Sequence, residues 1–430
     1  MRSLCPRRGL WRNADFLKLW AGETISMLGS QVDDLALGFV AIVVLDATAF
    51  EVAILGVLNF LPFVFLALPA GVWVDRLRRR PILIATDLAR AALLATIPLA
   101  YVAGLLTLWH LYAVVFLVGA CQVFFDVAYQ AYLPSLVERE QLLEGNSKLE
   151  LSRSASQVAG PGLAGALVEL FTAPYAVLVD AASFVASGLF LLRIRTKEAS
   201  PERPRAAEGS TRSVRTELKE GFRFVLGNPN LRAQAGCTAT SNLFGSLAFA
   251  VVLVFFVREL GLAAGVIGLI FSVGAAGSVL GALVARRISG RLGIGPTSIV
   301  AAALFGPGFL LVALAPPGNA AVPVLIVAQL LLGLTVVVYN IAQVSYRQAI
   351  CPPRLQGRMS SVMRFVVWGT IPIGALLGGA LATWIGLRET IVVGAIGGGL
   401  AFLWLLLSPQ RRLRELPEPV ADAATEPARA

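Results

Sequence analysis

The sequence predicts an all-α polytopic membrane protein with twelve transmembrane helices, in two six-helix halves related by pseudo-twofold symmetry. Three observations support this fold class: the composition, a series of apolar runs with alternating basic loops, and an internal repeat. Of the 430 residues, 57% are hydrophobic and 14% are charged, whereas soluble domains carry about 45–50% apolar and about 25% charged residues. The composition therefore excludes an ordinary soluble enzyme.

Apolar runs bounded by charges, proline or glycine predict the spans, since a spanning helix needs about 20 apolar residues. The runs lie at 16–45, 50–73, 81–103, 108–132, 148–170, 172–192, 231–257, 264–287, 295–315, 320–346, 359–383 and 387–407. They define an N-terminal half (1–192), a linker (193–230), a C-terminal half (231–407) and a tail (408–430). We expect the tail to be disordered and cytoplasmic.

Basic residues are concentrated on one side of the predicted membrane. The loops after spans 1, 3, 5, 7, 9 and 11 hold only Arg258 and Arg388 of the 36 Lys and Arg residues. Lys and Arg accumulate in cytoplasmic loops, so we expect both termini to be cytoplasmic and the protein to lie in the cell (inner) membrane. The net charge of +10 then reflects topology rather than nucleic-acid binding.

The linker contains apolar residues at helical spacing, Leu218, Phe222 and Val225, among charged ones. This pattern is typical of an amphipathic helix on the inner membrane surface. A solvated linker helix is the alternative interpretation.

Three motifs in the first half recur in the second. Gly119-x6-Asp126-x-Ala128-x3-Tyr132 matches Gly333-x6-Asn340-x-Ala342-x3-Tyr346, at an offset of 214 residues. Arg153-x7-Pro161 matches Arg364-x7-Pro372, and Gly71-x4-Arg76 matches Gly281-x4-Arg286, at offsets of 211 and 210. Duplicated six-span halves are typical of transporters, in which the substrate site lies at the repeat interface.

The loop between spans 2 and 3 reads Gly71-Val-Trp-Val-Asp75-Arg76-Leu-Arg78-Arg79-Arg80-Pro-Ile-Leu83. It resembles the loop signature of the major facilitator superfamily, although Arg78 stands where that family usually has glycine and cannot adopt a left-handed turn as readily. In the family this loop acts as a conformational latch. The resemblance assigns that role to Gly71, Asp75, Arg76 and Arg79, and the alternative is that the arginines only fix topology.

Span 5 carries Gly160-Pro161-Gly162-Leu163-Ala164-Gly165, which resembles part of an element of proton-driven antiporters. Close packing of small residues and a proline kink also explain Gly160, Pro161 and Gly165. In its sequence features outside these motifs, the chain most resembles the drug:proton antiporter branch that contains macrolide and siderophore exporters.

Polar residues inside spans are expected to have a structural or functional role, because inserting an ionisable group at the centre of a span into the membrane costs about 2.5–3.5 kcal/mol. The resemblance implies that spans 1, 4, 7 and 10 line a central cavity, and these spans carry most of the mid-span polar groups. The predicted cavity residues are Glu23, Ser30, Gln122, Tyr129, Gln130, Asn242, Tyr339, Asn340 and Gln343.

Three carboxylates in these spans, Asp126, Asp33 and Asp34, are candidates for proton coupling. A carboxylate in a dry cavity can hold a proton and release it when water enters. Pairing with an arginine, without any titration, is the alternative. In spans 3 and 6 we expect Asp87 and Arg90 to form a structural pair, and Asp180 to support a neighbouring helix.

These features predict a proton-coupled exporter of an amphipathic, drug- or antibiotic-like small molecule that works by alternating access. The alternatives are a dedicated exporter or importer of an endogenous metabolite such as a siderophore, and a non-transporting membrane receptor. With one histidine, widely spaced cysteines and no phosphate-cradling loop, we expect no enzymatic activity, catalytic residue, metal or cofactor. The expected partners are the substrate, protons and membrane lipid, without nucleic acid, and the expected state is a monomer.

Overall fold

Helices make up nearly all of the computed structural model, and no strand occurs among the residues it describes. These residues are 10–74, 76–138, 141–196, 198, 222–351 and 356–415, without the side chains of 67, 68, 72 and 356–358. The helices of the first half are α1 (Ala14–Phe39), α2 (Ala49–Val74), α3 (Arg79–Val102), α4 (Leu108–Leu136), α5 (Leu142–Phe171) and α6 (Ala173–Leu192). Those of the second half are α7 (Pro229–Val254), α8 (Ala264–Leu292), α9 (Ile294–Ala313), α10 (Ala321–Ile350), α11 (Gln356–Trp368), α12 (Thr370–Ile385), α13 (Leu387–Gly399) and α14 (Leu403–Leu406).

Eleven helical segments of the described chain are long and apolar enough to span a membrane. Two of them join shorter helices: α11 with α12, and α13 with α14. The predicted span 5 corresponds to α5, which is 30 residues long but is not among the eleven. Lys148, Glu150 and Arg153 make its first half polar. The chain is thus a multi-pass helical membrane protein.

The internal repeat extends to the ends of the helices. The first six helices begin 213–215 residues before their counterparts in the second half, as with Ala14 of α1 and Pro229 of α7. Asn13 caps α1 by accepting bonds from the N–H groups of residues 15 and 16, and Asn228 caps α7 in the same way. The sequence motif that repeats at an offset of 214 residues agrees with this spacing of the helices. The two motifs that repeat at offsets of 210 and 211 residues fall short of it.

Backbone irregularities repeat as well. A π-helical turn follows both α1 (Val40–Val44) and α7 (Phe255–Glu259). Residues with positive φ occupy equivalent positions in the loops of the two halves. Asp46 is equivalent to Gly261, Gly104 to Gly318 and Thr172 to Gly386. The two halves therefore share their turn geometry, although the first half places non-glycine residues at two of these positions.

The chain forms two compact units, residues 1–207 with 263–272, and residues 208–262 with 273–430. In the first unit α1 packs on α5 and α6, α3 packs on α4 and α6, and α2 packs on α4. In the second unit α7 packs on α12 and α13, and α9 packs on α10 and α13. The units differ from the predicted halves because the start of α8, through Ser272, belongs with the first.

Glycines allow close helix packing in the second unit. A Cβ atom at Gly277 or Gly281 of α8 would press on the backbone of Leu330 or Leu334 in α10. Small residues are used in this way at helix contacts in membranes.

The tail predicted to be disordered starts at residue 408, but residues 408–415 are ordered and packed in the structure. Residues 409–412 form a 3-10 turn, and Gln410 is fully buried. The N–H of Gly295 donates to the carbonyl of Leu413 over 2.9 Å, which ties this segment to the start of α9. The chain through residue 415 is therefore part of the packed unit, and residues 416–430 lie outside the described part.

The described ends of the linker both pack on helices. Asp15 of α1 accepts bonds from the N–H groups of Arg195 and Thr196 and from the Thr196 hydroxyl. Residues 222–227 are helical, and Val225 is buried in a cluster that includes Leu231. Leu218 and most of the predicted linker helix lie outside the described residues.

Thr172 adopts φ 68° and ψ 156° between α5 and α6, a region that only glycine occupies readily and that costs other residues about 1–3 kcal/mol. We expect Thr172→Gly to raise the free energy of unfolding by about 1 kcal/mol, because relief of strain outweighs the added freedom of the unfolded chain. Thermal unfolding of the purified protein in detergent measures the change.

The matched control is the reverse substitution, Gly386→Thr, at the equivalent turn (φ 100°, ψ 165°), which we expect to destabilise the protein. A lower melting temperature for Thr172→Gly than for the wild type would contradict the assignment of strain.

Candidate functional site

A cavity of about 320 Å³ in the first unit is lined by residues from all six of its long helices. Its charged groups are unbalanced, with five carboxylates and two guanidinium groups. The carboxylates are Glu23, Asp33, Asp34, Asp126 and Asp180, and the cations are Arg90 and Arg153. The uncharged polar residues are Ser26, Ser30, Gln31, Asn59, Gln122, Ser156 and Gln157.

Arg90 of α3 is the central cation of this site and is 1% exposed. Its guanidinium lies between two aromatic rings, 4.4 Å from the centroid of Phe125 in α4 and 4.0 Å from that of Phe184 in α6. It pairs with Asp87 one turn earlier in α3 and donates to Gln122 Oε1. The Asp87–Arg90 pair was expected, and the structure also places Arg90 on the cavity wall.

Asp126 is connected to Arg90 through an amide. Gln122 Nε2 donates to Asp126 Oδ1 over 2.7 Å, while its Oε1 atom accepts from Arg90. Gln122 and Asp126 stand one turn apart on α4 and face the same way. Arg90 therefore acts on Asp126 through a polarised hydrogen-bond chain.

A second cavity of about 490 Å³ adjoins the same residues. Glu23, Met27, Asp126 and Arg153 line both cavities. The further predicted residues Tyr129 and Gln130 line only the second one. Tyr129 stacks on Phe125, with ring centroids 5.9 Å apart, and among the described residues its buried hydroxyl has no hydrogen-bond partner.

Besides Glu23, three further predicted residues of span 1 line the first cavity. Ser30, Asp33 and Asp34 line it, Asp33 is 7% exposed, and Asp34 is exposed. Sequence reasoning placed Asp180 in a supporting role, yet it lines the same cavity from α6. The position of this ionisable residue in the middle of a span is the sequence feature that could have indicated a place in the cavity.

In the second unit three of four predicted residues come together. The hydroxyls of Tyr339 and Thr238 lie 2.7 Å apart, and Gln343 Nε2 donates to Asn340 Oδ1 over 3.0 Å. A longer contact of 3.5 Å joins Thr238 to Gln343. Asn242 instead donates to the carbonyl of Val367 over 3.0 Å, where α11 gives way to α12.

The predicted latch is described in part, because Asp75 lies outside the described residues. The N–H groups of Arg79 and Arg80, at the start of α3, donate to the carboxylate of Glu198 over 2.8 and 3.2 Å. Glu198 thus caps α3 and neutralises its positive end. Arg76 is exposed and Gly71 has open space at its Cβ position. Sequence reasoning did not single out Glu198.

The predicted kink element of α5 lies against two helices of the first unit. A Cβ atom at Gly160 would overlap the Gln31 side chain of α1, and one at Gly165 would overlap the Ala264 backbone of α8. The carbonyl of Pro161 lies where a Cβ atom of Gly268 would stand. These residues thus permit close helix packing, as the packing interpretation of this element requires.

Comparison with known proteins points to one family. A family profile described as transmembrane secretion effector matches residues 9–426. The multidrug efflux pump Tap of Mycolicibacterium fortuitum is 26% identical over 392 residues, which cover 89% of this chain and 91% of Tap. Macrolide efflux protein A of Streptococcus pyogenes is 24% identical over 218 residues, covering 51% of this chain and 53% of that protein.

Solved structures show the same fold at low identity. A bacterial homologue of the iron transporter ferroportin, in an inward-facing state, matches with a TM-score of 0.72 and 19% identity, covering 93% of this chain and 99% of its own. The nucleoside transporter NupG matches with a TM-score of 0.67 and 15% identity, covering 91% of this chain and 98% of its own.

We expect Arg90→Gln to destabilise the protein by about 3–5 kcal/mol, because it leaves the carboxylate of Asp87 buried without its cation. The double variant Asp87→Asn/Arg90→Gln removes both charges and should recover part of this loss. Thermal unfolding in detergent compares the two. A double variant no more stable than Arg90→Gln would show that the buried charge of Asp87 is not the cause.

Proposed function

The chain belongs to the transmembrane secretion effector family of the major facilitator superfamily, and we propose that it exports an amphipathic small molecule in exchange for protons. Membership makes it a multi-pass transporter of small molecules rather than an enzyme. The direction of transport, the proton coupling and the substrate class are the proposal. The observation that carries it is the carboxylate-rich cavity of the first unit, in which Asp126 is linked to Arg90.

The charge of this cavity favours a cationic substrate. Five carboxylates face two guanidinium groups, and one of these, Arg90, is already paired with Asp87. Negative charge concentrated in a cleft with low-dielectric walls attracts cations and repels anions. Phe63 also lines the cavity, and aromatic faces bind organic cations. The substrate we propose is an organic base with an apolar body.

The repulsion between the carboxylates of this cavity also supports proton exchange. Several ionised carboxylates in one small cavity repel one another, so part of them hold protons while the cavity is empty. An entering cation compensates the negative charge and allows a proton to leave. Asp126 is the first candidate, because Gln122 gives it a fixed partner and both cavities reach it.

The names of two relatives support export. Tap is named as a multidrug efflux pump, and the streptococcal relative as a macrolide efflux protein.

We propose that the chain works as a monomer in lipid by alternating access, in the cytoplasmic membrane with both termini cytoplasmic. The bias of Lys and Arg between its loops supports this orientation.

Efflux of ethidium from cells that express the wild type or Asp126→Asn tests the proposal. We expect the wild type to extrude the dye and a protonophore to abolish extrusion. Asp126→Asn should slow extrusion at least about tenfold, which is a rise of about 1.4 kcal/mol in the barrier, because asparagine cannot exchange a proton. Fluorescence of preloaded cells after energisation measures the rate.

The control is Glu138→Gln, which removes an exposed carboxylate outside the cavity and should leave extrusion unchanged. Extrusion by Asp126→Asn at the wild-type rate would contradict coupling through this residue. Wild-type cells that extrude no dye would contradict a broad amphipathic specificity and favour a dedicated endogenous metabolite.

A further inference from the structure

We propose that a groove between α7 and the last span binds one anionic phospholipid, with an acyl chain along the groove and the phosphate at Arg232. The groove has a volume of about 620 Å³, and all of its lining residues belong to the second unit. This lipid site is separate from the cavity of the first unit. It depends neither on the substrate nor on proton coupling.

One face of α7 forms the first wall of the groove. Arg232, Thr240 and Phe244 line it, and Gly236 lies between Arg232 and Thr240 at the same spacing of four residues. Residues four apart in an α-helix stand one above the other on the same face. The wall therefore runs along the helix axis from the first turn of α7 toward its middle.

The last span forms the second wall and changes helix type there. α13 ends at Gly399, a 3-10 turn covers Leu400–Phe402, and α14 follows at Leu403–Leu406. Along these elements the lining residues are Gly397, Leu400, Leu403 and Trp404. Because a 3-10 turn has three residues per turn, it shifts the side chains that follow it relative to those of α13.

Two aromatic side chains lie against glycines of the opposite helix. A Cβ atom at Gly236 would overlap the ring of Trp404, and one at Gly397 would overlap the ring of Phe244. The indole N–H of Trp404 donates to Thr240 Oγ1 over 3.2 Å, so it has its partner within the protein. The groove presents mostly carbon to its occupant, and such a surface suits a hydrocarbon chain rather than a polar ligand.

The groove is open to the bilayer along much of one leaflet. Both walls belong to segments that are long and apolar enough to span a membrane, and Trp404 is 50% and Leu407 80% exposed. The wall from Pro229 to Phe244 is about 22 Å long at a rise of about 1.5 Å per residue. It exceeds half of the hydrocarbon core, which is about 30 Å thick, so an acyl chain of one leaflet fits along it.

The mouth of the groove carries an excess of positive charge. Arg232 is exposed there, and among the residues that the structure describes no carboxylate forms an ion pair with it. On the other wall Arg411 and Arg412 end the 3-10 turn that begins at Pro409, and Glu415 follows. Basic pockets between spans on the cytoplasmic side bind anionic headgroups, and this is the side of the membrane that we propose to be cytoplasmic.

Tryptophan fluorescence of the full-length protein in mixed-lipid vesicles tests the site. Brominated acyl chains quench a tryptophan that they touch, and the difference between each protein and its Trp404→Phe form isolates Trp404. We expect brominated phosphatidylglycerol to reach Trp404 with at least about fivefold preference over brominated phosphatidylcholine, which corresponds to about 1 kcal/mol for an arginine near the headgroups.

Arg232→Gln should remove this preference, because the phosphate then loses its cation. The matched control is Arg287→Gln, which changes an exposed arginine at the end of α8 outside the groove and should keep the preference. Equal quenching by both lipids in the wild type would overturn the proposal, since Trp404 would then meet only unselected bilayer lipid. A preference that survives Arg232→Gln would overturn it as well.

Thermal unfolding in detergent gives a second measurement, because a ligand that binds the folded state raises its stability. Phosphatidylglycerol should raise the melting temperature of the wild type and of Arg287→Gln more than that of Arg232→Gln, and phosphatidylcholine should not distinguish them. An equal rise in Arg232→Gln would contradict the site. Trp404 fluorescence insensitive to both brominated lipids would also overturn it, and a dimer in size-exclusion chromatography would then identify a second copy as the occupant.

Discussion

The buried guanidinium of Arg90 is the interaction on which the first unit's cavity depends. It lies between the rings of Phe125 and Phe184 and bonds to Asp87 and Gln122, so three helices meet at one charge. A buried charge is stable only when its partners are held in place. The same contacts fix Gln122, and through it Asp126, in one orientation. The residues that hold Arg90 in place on α3 and α4 are therefore also the residues that position Asp126.

Most of the fold could be predicted from the sequence, because membrane spans and topology follow from local apolar runs and from the placement of Lys and Arg. The repeat was found from motifs such as Gly119 and Gly333. Its equivalent caps at Asn13 and Asn228 carry a sequence signal, since asparagine is favoured at helix N-caps. Its equivalent turn at Thr172 carries none, since a non-glycine residue does not indicate left-handed backbone. The end of the second unit at 408–415 was missed because its segment is charged and short, although Gln410 is buried.

The site could be predicted only as a set of residues. Polar positions on spans 1 and 4 identified Glu23, Asp33 and Asp126 as cavity residues of one unit, but sequence spacing shows neighbours within one helix and not across helices. Asp180 and Arg90 therefore appeared to be structural, and the link from Arg90 to Asp126 through Gln122 was invisible. Asn242 shows the opposite error, since a polar residue on a predicted cavity helix bonds to the backbone of Val367.

Proton movement in proteoliposomes measures whether the charged cavity exchanges protons for an organic cation. The purified protein is reconstituted with a pH indicator inside, an acidic interior is imposed, and ethidium is added outside. We expect ethidium to accumulate while the interior becomes more alkaline than in protein-free liposomes, and both changes to vanish when the pH gradient is collapsed. Accumulation at the same rate without a gradient, or without proton loss, would contradict proton exchange.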